Sequence, residues 1–145
     1  MGLKDLFYAI TVAHRARNLG VSDDPLWRVH VEPSRVVVVE SAQMWQELLK
    51  RAHAQKTIIV VHFSAEWCAP CKFIAPDFDQ LSRKYPELIF LDLDVDEVKE
   101  VASKMNVKAM PTFMFIKEEE EADRFVGANK EELEKRICNL ANSQT

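Results

Sequence analysis

Residues 57 to 63 read Thr-Ile-Ile-Val-Val-His-Phe, a run in which neither alternate set of side chains is polar enough to face water. A strand that apolar on both faces belongs at the centre of a sheet covered by helices on each side. Its surroundings supply those layers. Arg35 to Val39 is a short β-branched strand, and Ser41 then opens a helical pattern with Trp45, Leu48, Leu49 and Ala52 on one face. Beyond the central run, Phe73, Ile74, Phe78 and Leu81 form the apolar stripe of a second helix, in which Pro76 is expected to produce a kink. Leu88 to Val95 reads as a third strand. Val98, Val101 and Ala102 pack a short helix that reaches Met105. Phe113 to Ile116 and Arg124 to Val126, joined through Lys117 to Glu121, predict an antiparallel hairpin, and Leu133, Ile137 and Leu140 a last helix. The expected fold class is α/β: a central mixed five-stranded sheet flanked by about four helices.

At 145 residues the chain is long enough for one domain with a self-sufficient core. A net charge of −4 with 29% charged residues argues against nucleic acid as a partner, and no apolar run approaches a membrane span. Three cysteines are too few for a secreted disulfide scaffold, and no secretory leader pattern is evident. A reducing compartment is therefore expected, the cytoplasm first.

Residues 1–34 differ in character from residues 35–145, balancing four basic against four acidic side chains. Leu3, Leu6, Phe7, Ile10 and Ala13 fall near one helical face up to Gly20, and Ser22-Asp23-Asp24-Pro25 reads as a linker. Three readings stay open: a loosely docked tail, a segment for mitochondrial import or membrane-surface contact through residues 1–20, and myristoylation at Gly2. Against the last, Leu6 stands where that motif needs Ser or Thr.

Cys68-Ala69-Pro70-Cys71 lies where the central strand hands over to a helix. Thiols three residues apart can close a disulfide across one helical turn. The first sits at the helix N-terminus, where unpaired N–H groups and the macrodipole favour thiolate. Cys68 is thus the expected nucleophile and Cys71 the resolving thiol. Structural zinc would need a second ligand pair, and Cys138, His14, His30, His53 and His62 form none, so no metal is expected.

The string Trp67-Cys68-Ala69-Pro70-Cys71-Lys72, with Met110-Pro111-Thr112 and Val126-Gly127-Ala128 further on, resembles the thioredoxin family, in particular the plant h-type. The resemblance spans about Arg35 to Asn142 and implies a protein-disulfide reductase of the thioredoxin fold. It implies a redox disulfide between Cys68 and Cys71, no bound cofactor, and electrons from an external reductase: NADPH-thioredoxin reductase, or glutathione with glutaredoxin. Disulfide-containing proteins would be the targets and a monomer the working form. Trp67, Ala69, Pro70, Met110, Pro111 and Gly127 would form the rim on which a substrate segment lies, with a cis bond before Pro111 and Asp96 anchoring the Trp67 indole. Protein disulfide isomerase is the alternative, as is a redox-regulated binding or chaperone module.

Three departures from the family pattern matter. Ala69 replaces the usual Gly. The hairpin turn carries glutamates and no Gly. Most consequentially, His62 occupies the place of the family's buried Asp, with Asp92 across from it where some relatives hold a lysine. The expectation is that Asp92 orients His62 and supports a protonated imidazole, so that the pair takes the Cys71 proton; the competing reading is a structural histidine satisfied by a backbone carbonyl. His62 also resembles the h-related subgroup whose second active-site cysteine is Ser, although this chain keeps Cys71. Cys138 reads as a half-buried helix residue beside Ile137.

Overall fold

The structure, a computed structural model, describes residues 32–144. The reading of residues 1–20 as a helix lies outside them. The elements in chain order are β1 (Val36–Val38), α1 (Ala42–Ala54), β2 (Ile59–Ser64), α2 (Ala69–Lys84), β3 (Ile89–Asp94), α3 (Lys99–Lys104), β4 (Thr112–Lys117), β5 (Glu120–Val126) and α4 (Lys130–Asn142). The sheet order is β1-β3-β2-β4-β5. β1 and β2 run parallel to β3, whereas β4 is antiparallel to β2 and β5 to β4.

β2 is central, and its alternation divides the core. Ile59, Val61 and Phe63 join Trp45, Leu48, Val98 and Val101 on the face covered by α1 and α3. Ile58 and Val60 join Ile74, Phe78, Leu133 and Ile137 on the face covered by α2 and α4. Each fully buried Ile, Val or Phe in these layers contributes about 1.5–3 kcal/mol of transfer free energy. This two-sided burial is why the strand carries no polar alternation.

Local chemistry sets the element ends. Ser41 caps α1, its hydroxyl accepting from the Met44 N–H at 3.1 Å. Asn129 does the same for α4 through the Glu132 N–H at 2.9 Å. Arg124 reaches from β5 to the carbonyls of Met105 (2.7 Å) and Asn106 (3.3 Å), satisfying acceptors at the end of α3.

The structure corrects two readings. Phe73 is not part of the α2 stripe: it is 74% exposed, while Cys71, Ile74, Phe78 and Leu81 at helical spacing form the buried face. The strand after the acidic turn begins at Glu120 instead of Arg124, so only Glu118 and Glu119 remain as loop residues, both at positive φ (54° and 66°). That is the backbone a tight hairpin demands, adopted here without glycine. Just before β1, Ser34 is buried and the Glu32 carbonyl accepts from Arg83 of α2 at 3.4 Å. Pro76 stands inside the unbroken span of α2.

Candidate active site

The turn from β2 into α2 places both active-site sulfurs at the end of the sheet. Cys68 is the N-cap residue of α2, and its Sγ accepts from the Cys71 N–H at 3.2 Å, the position a Ser or Asp oxygen takes in an ordinary cap. Pro70 falls in the first turn, where its missing N–H costs nothing. Cys68 and Cys71 form a disulfide, with Cα atoms 5.3 Å apart. Both residues are buried and pack with Ala65, beside Val95 and Met110. Negative charge on Cys68 would meet the unpaired N–H groups and the positive end of a 16-residue helix.

Around the sulfurs, the Met110–Pro111 peptide is cis. The Gly127 N–H donates to the Pro111 carbonyl at 2.9 Å, linking the end of β5 to the start of β4. Gly127 has φ of +120°, a conformation that L side chains rarely adopt. Trp67 is 69% exposed, and its indole N–H donates to Asp96 Oδ2 at 2.8 Å. Asp94 Oδ1 in turn accepts from the backbone N–H of Asp96 at 2.8 Å and of Glu97 at 3.3 Å, holding the loop that presents Asp96. Ala69 and Pro70 are exposed beside Trp67.

His62 lies beneath this surface, 2% exposed. Its ring stacks on Phe113 at 4.8 Å and meets Phe78 at 5.4 Å; Phe78 shares the buried face of α2 with Cys71. The strand register places Asp92 directly beside it. The two side chains stand within ion-pair distance, but the imidazole is not charged near pH 7. His62 Nδ1 and Asp92 Oδ1 stand 3.6 Å apart, beyond a good hydrogen bond, and burial among aromatic rings lowers the His62 pKa to about 4, leaving the imidazole neutral near pH 7. Burial also raises the Asp92 carboxyl, and the Asp94 charge adds to that, while a hydrogen bond from Ser64 opposes it. His62 Nε2 is buried without a partner in the described residues, so no backbone carbonyl satisfies it either.

Three participants were missed from sequence: Ser64, which donates to Asp92 Oδ1 at 3.0 Å, and the rings of Phe78 and Phe113. Ser64 carried a legible signal, since it lies two residues beyond His62 and so on the same strand face. The rings did not, because their meeting depends on register across β4 and on the docking of α2. Cys138 on α4 is half-buried, with Asn142 Nδ2 3.6 Å from its sulfur and no contact with the redox pair. Among the described residues, no three His, Cys, Asp or Glu side chains gather as metal ligands.

Comparison with known proteins agrees with this geometry. The thioredoxin family profile matches residues 36–139. Thioredoxin H1 of Arabidopsis thaliana is 47% identical over 107 residues, covering 74% of this chain and 94% of the relative. The thioredoxin-like protein CXXS1 of the same plant is 46% identical over 110 residues, covering 76% and 93%. Among solved structures, thioredoxin NaTrxh of Nicotiana alata superposes with a TM-score of 0.72 at 42% identity, covering 77% of this chain and 97% of that one. With the sulfur pair at the helix N-terminus and these matches across the whole sheet, the chain belongs to the thioredoxin family and is a protein-disulfide oxidoreductase that works by dithiol–disulfide exchange.

Proposed function

We propose that Cys68 is the attacking thiolate, Cys71 the resolving thiol, and His62 with Asp92 the proton acceptor for Cys71. The observation that carries this assignment is the Cys68 sulfur in the N-cap position, accepting the Cys71 N–H at 3.2 Å. That site favours the thiolate on Cys68 and leaves the proton on Cys71. In the reducing direction, Cys68 sulfur attacks a target disulfide and one target sulfur leaves. Cys71 then loses its proton and attacks Cys68, the mixed disulfide breaks, the second target sulfur departs, and Cys68 and Cys71 end oxidised by two electrons. A neutral His62 is free to accept a proton, and because burial disfavours the imidazolium the proton would pass on to the neighbouring Asp92.

Trp67, Ala69, Pro70, Met110, Pro111 and Gly127 form the platform on which an extended target segment lies. Met110 supplies backbone to it, and Trp67, held by Asp96, supplies apolar area. Electrons come from NADPH through a thioredoxin reductase, with glutathione and glutaredoxin the second candidate donor. The protein acts as a monomer in the cytoplasm. Mitochondrial import or membrane contact through residues 1–20 is the alternative, and no helix among the described residues is long and apolar enough to cross a membrane.

The test is reduction of insulin disulfides with NADPH and thioredoxin reductase, run beside a dithiothreitol-driven reaction. Turnover in both supports the assignment and the donor, and turnover with dithiothreitol alone supports the dithiol but moves the donor to glutathione and glutaredoxin. Cys71→Ser should abolish reductase turnover. Retention of most disulfide isomerase activity in that variant would favour an isomerase, and failure of the parent in both reactions a redox-regulated binding module.

A further inference from the structure

Side chains in register across a sheet share a face. One such row crosses all five strands: Val38, Asp92, His62, Phe113 and Phe125. Its Val38 end is open to water, and at the other end the partly buried Phe125 is cut off from His62 by Phe113. Val38 is 52% exposed and the Asp92 side chain 38%, whereas His62 and Phe113 are sealed. His62 therefore meets solvent through Asp92. The Asp92 oxygen that faces His62 Nδ1 is Oδ1, and this same oxygen accepts the Ser64 hydroxyl at 3.0 Å. Ser64 closes a three-residue cluster in which His62 is sealed while Asp92 and, in part, Ser64 reach water.

We infer that Ser64 is a positioning residue for the resolving step: it fixes the Asp92 carboxylate against His62, so that the proton leaving Cys71 passes through His62 to Asp92 and out to water on the Val38 side. The inference rests on His62 being the acceptor. The balance is simple. Cys71 sulfur gives up one proton and forms a bond to Cys68 sulfur; the target sulfur takes the electron pair of the broken disulfide; His62 and Asp92 each gain and then lose the same proton. The carboxylate is faced by His62 and Ser64 from β2, by Asp94 from its own strand and by the apolar Val38 from β1. Without the Ser64 hydroxyl, the carboxylate loses its side-chain hydrogen bond and keeps the 3.6 Å approach to His62 and a backbone hydrogen bond at Leu93, so its hold against His62 loosens.

The experiment follows 5,5′-dithiobis(2-nitrobenzoate) reacting with the reduced protein by stopped flow. One thionitrobenzoate is released on Cys68 attack and a second on Cys71 resolution. Resolution should slow about tenfold in Ser64→Ala, a fraction of what general acid–base groups supply, with the attack step little altered. Its pH profile should also move upward by about one unit, because a hydrogen bond to the ionised carboxyl is lost. Ser64→Thr, which keeps a hydroxyl, should restore both rate and profile. Resolution and midpoint unchanged in Ser64→Ala while His62→Ala is slow would overturn the role of Ser64 and leave His62 standing. If His62→Ala resolves at the parent rate, the acceptor assignment fails and the Ser64 inference with it. A slow Ser64→Ala that Ser64→Thr does not rescue, with an unmoved pH profile, marks a packing effect and also overturns the inference.

Discussion

The His62 imidazole lies face to face with the Phe113 ring, centroids 4.8 Å apart and planes 10° from parallel. Phe113 stacks in turn on Phe125 at 5.2 Å, so a neutral aromatic column stands where the family more often buries a carboxylate. An offset stack of this kind adds to the area term. Phe113→Leu should therefore lower the unfolding free energy of the oxidised protein by about 1–3 kcal/mol. Urea titration checks this, and a change within experimental error would mean that the column does not hold the sheet centre.

The pH dependence of stability has a defined sign. His62 titrates near 6.5 unfolded and near 4 folded, depressed by burial, so between those values the unfolded chain binds more protons. The stability that His62 confers is complete above about pH 6.5 and is lost as the pH falls toward 4. Asp92 acts oppositely, its raised folded pKa favouring the native state at low pH, just above the ordinary carboxylate range. His62→Leu should thus flatten the decline between pH 6.5 and 4. Equal slopes for parent and variant would refute a depressed histidine.

Glu118 and Glu119 hold left-handed backbone in a two-residue hairpin loop, where Asn and Gly are the residues that adopt it readily. Replacing them together, Glu118→Asn with Glu119→Gly, should raise stability by about 1–2 kcal/mol and leave insulin reduction unchanged. A thermal melt that moved down would show that the glutamates make a compensating contact.

At Gly127 an added Cβ would meet nothing within 4 Å, so space is not the constraint; the φ of +120° is. Gly127→Ala should cost about 1–2 kcal/mol and disturb the hydrogen bond to Pro111. Insulin kcat/KM should fall with it. A variant with parental melting temperature and parental kcat/KM would show that the backbone relaxes freely.

Trp67 is held by Asp96 at 2.8 Å while most of its surface faces water. Asp96→Ala should raise KM for insulin about two- to fivefold while stability stays within about 0.5 kcal/mol, as exposed sites generally permit. A fall in kcat at unchanged KM would place Asp96 in the chemical step instead of in target binding.

Much of this was legible in one dimension because the signals are local. A seven-residue apolar run can only be a strand covered on both faces, Ser41 marks a helix start by its own hydrogen bond, and Cys68 is an N-cap by its place between strand and helix. Phe73 was misassigned because a helical stripe tolerates a neighbour 100° away until packing decides which side is buried. The turn was drawn too wide because glutamates give no hint that two of them will take positive φ when the strands on either side zip together.

The sequence by itself determined the strand and helix order, the redox pair and its polarity along α2, all of which depend on neighbours within about one helical turn. Only the tertiary structure decided the state of His62. Its identity permits either charge. The rings of Phe78 and Phe113, brought from 16 and 51 residues away in sequence, remove water from it and make it neutral. The same assembly leaves Asp92 open to solvent at the β1 edge, because strand register and helix docking are set by the whole chain and by no segment of it.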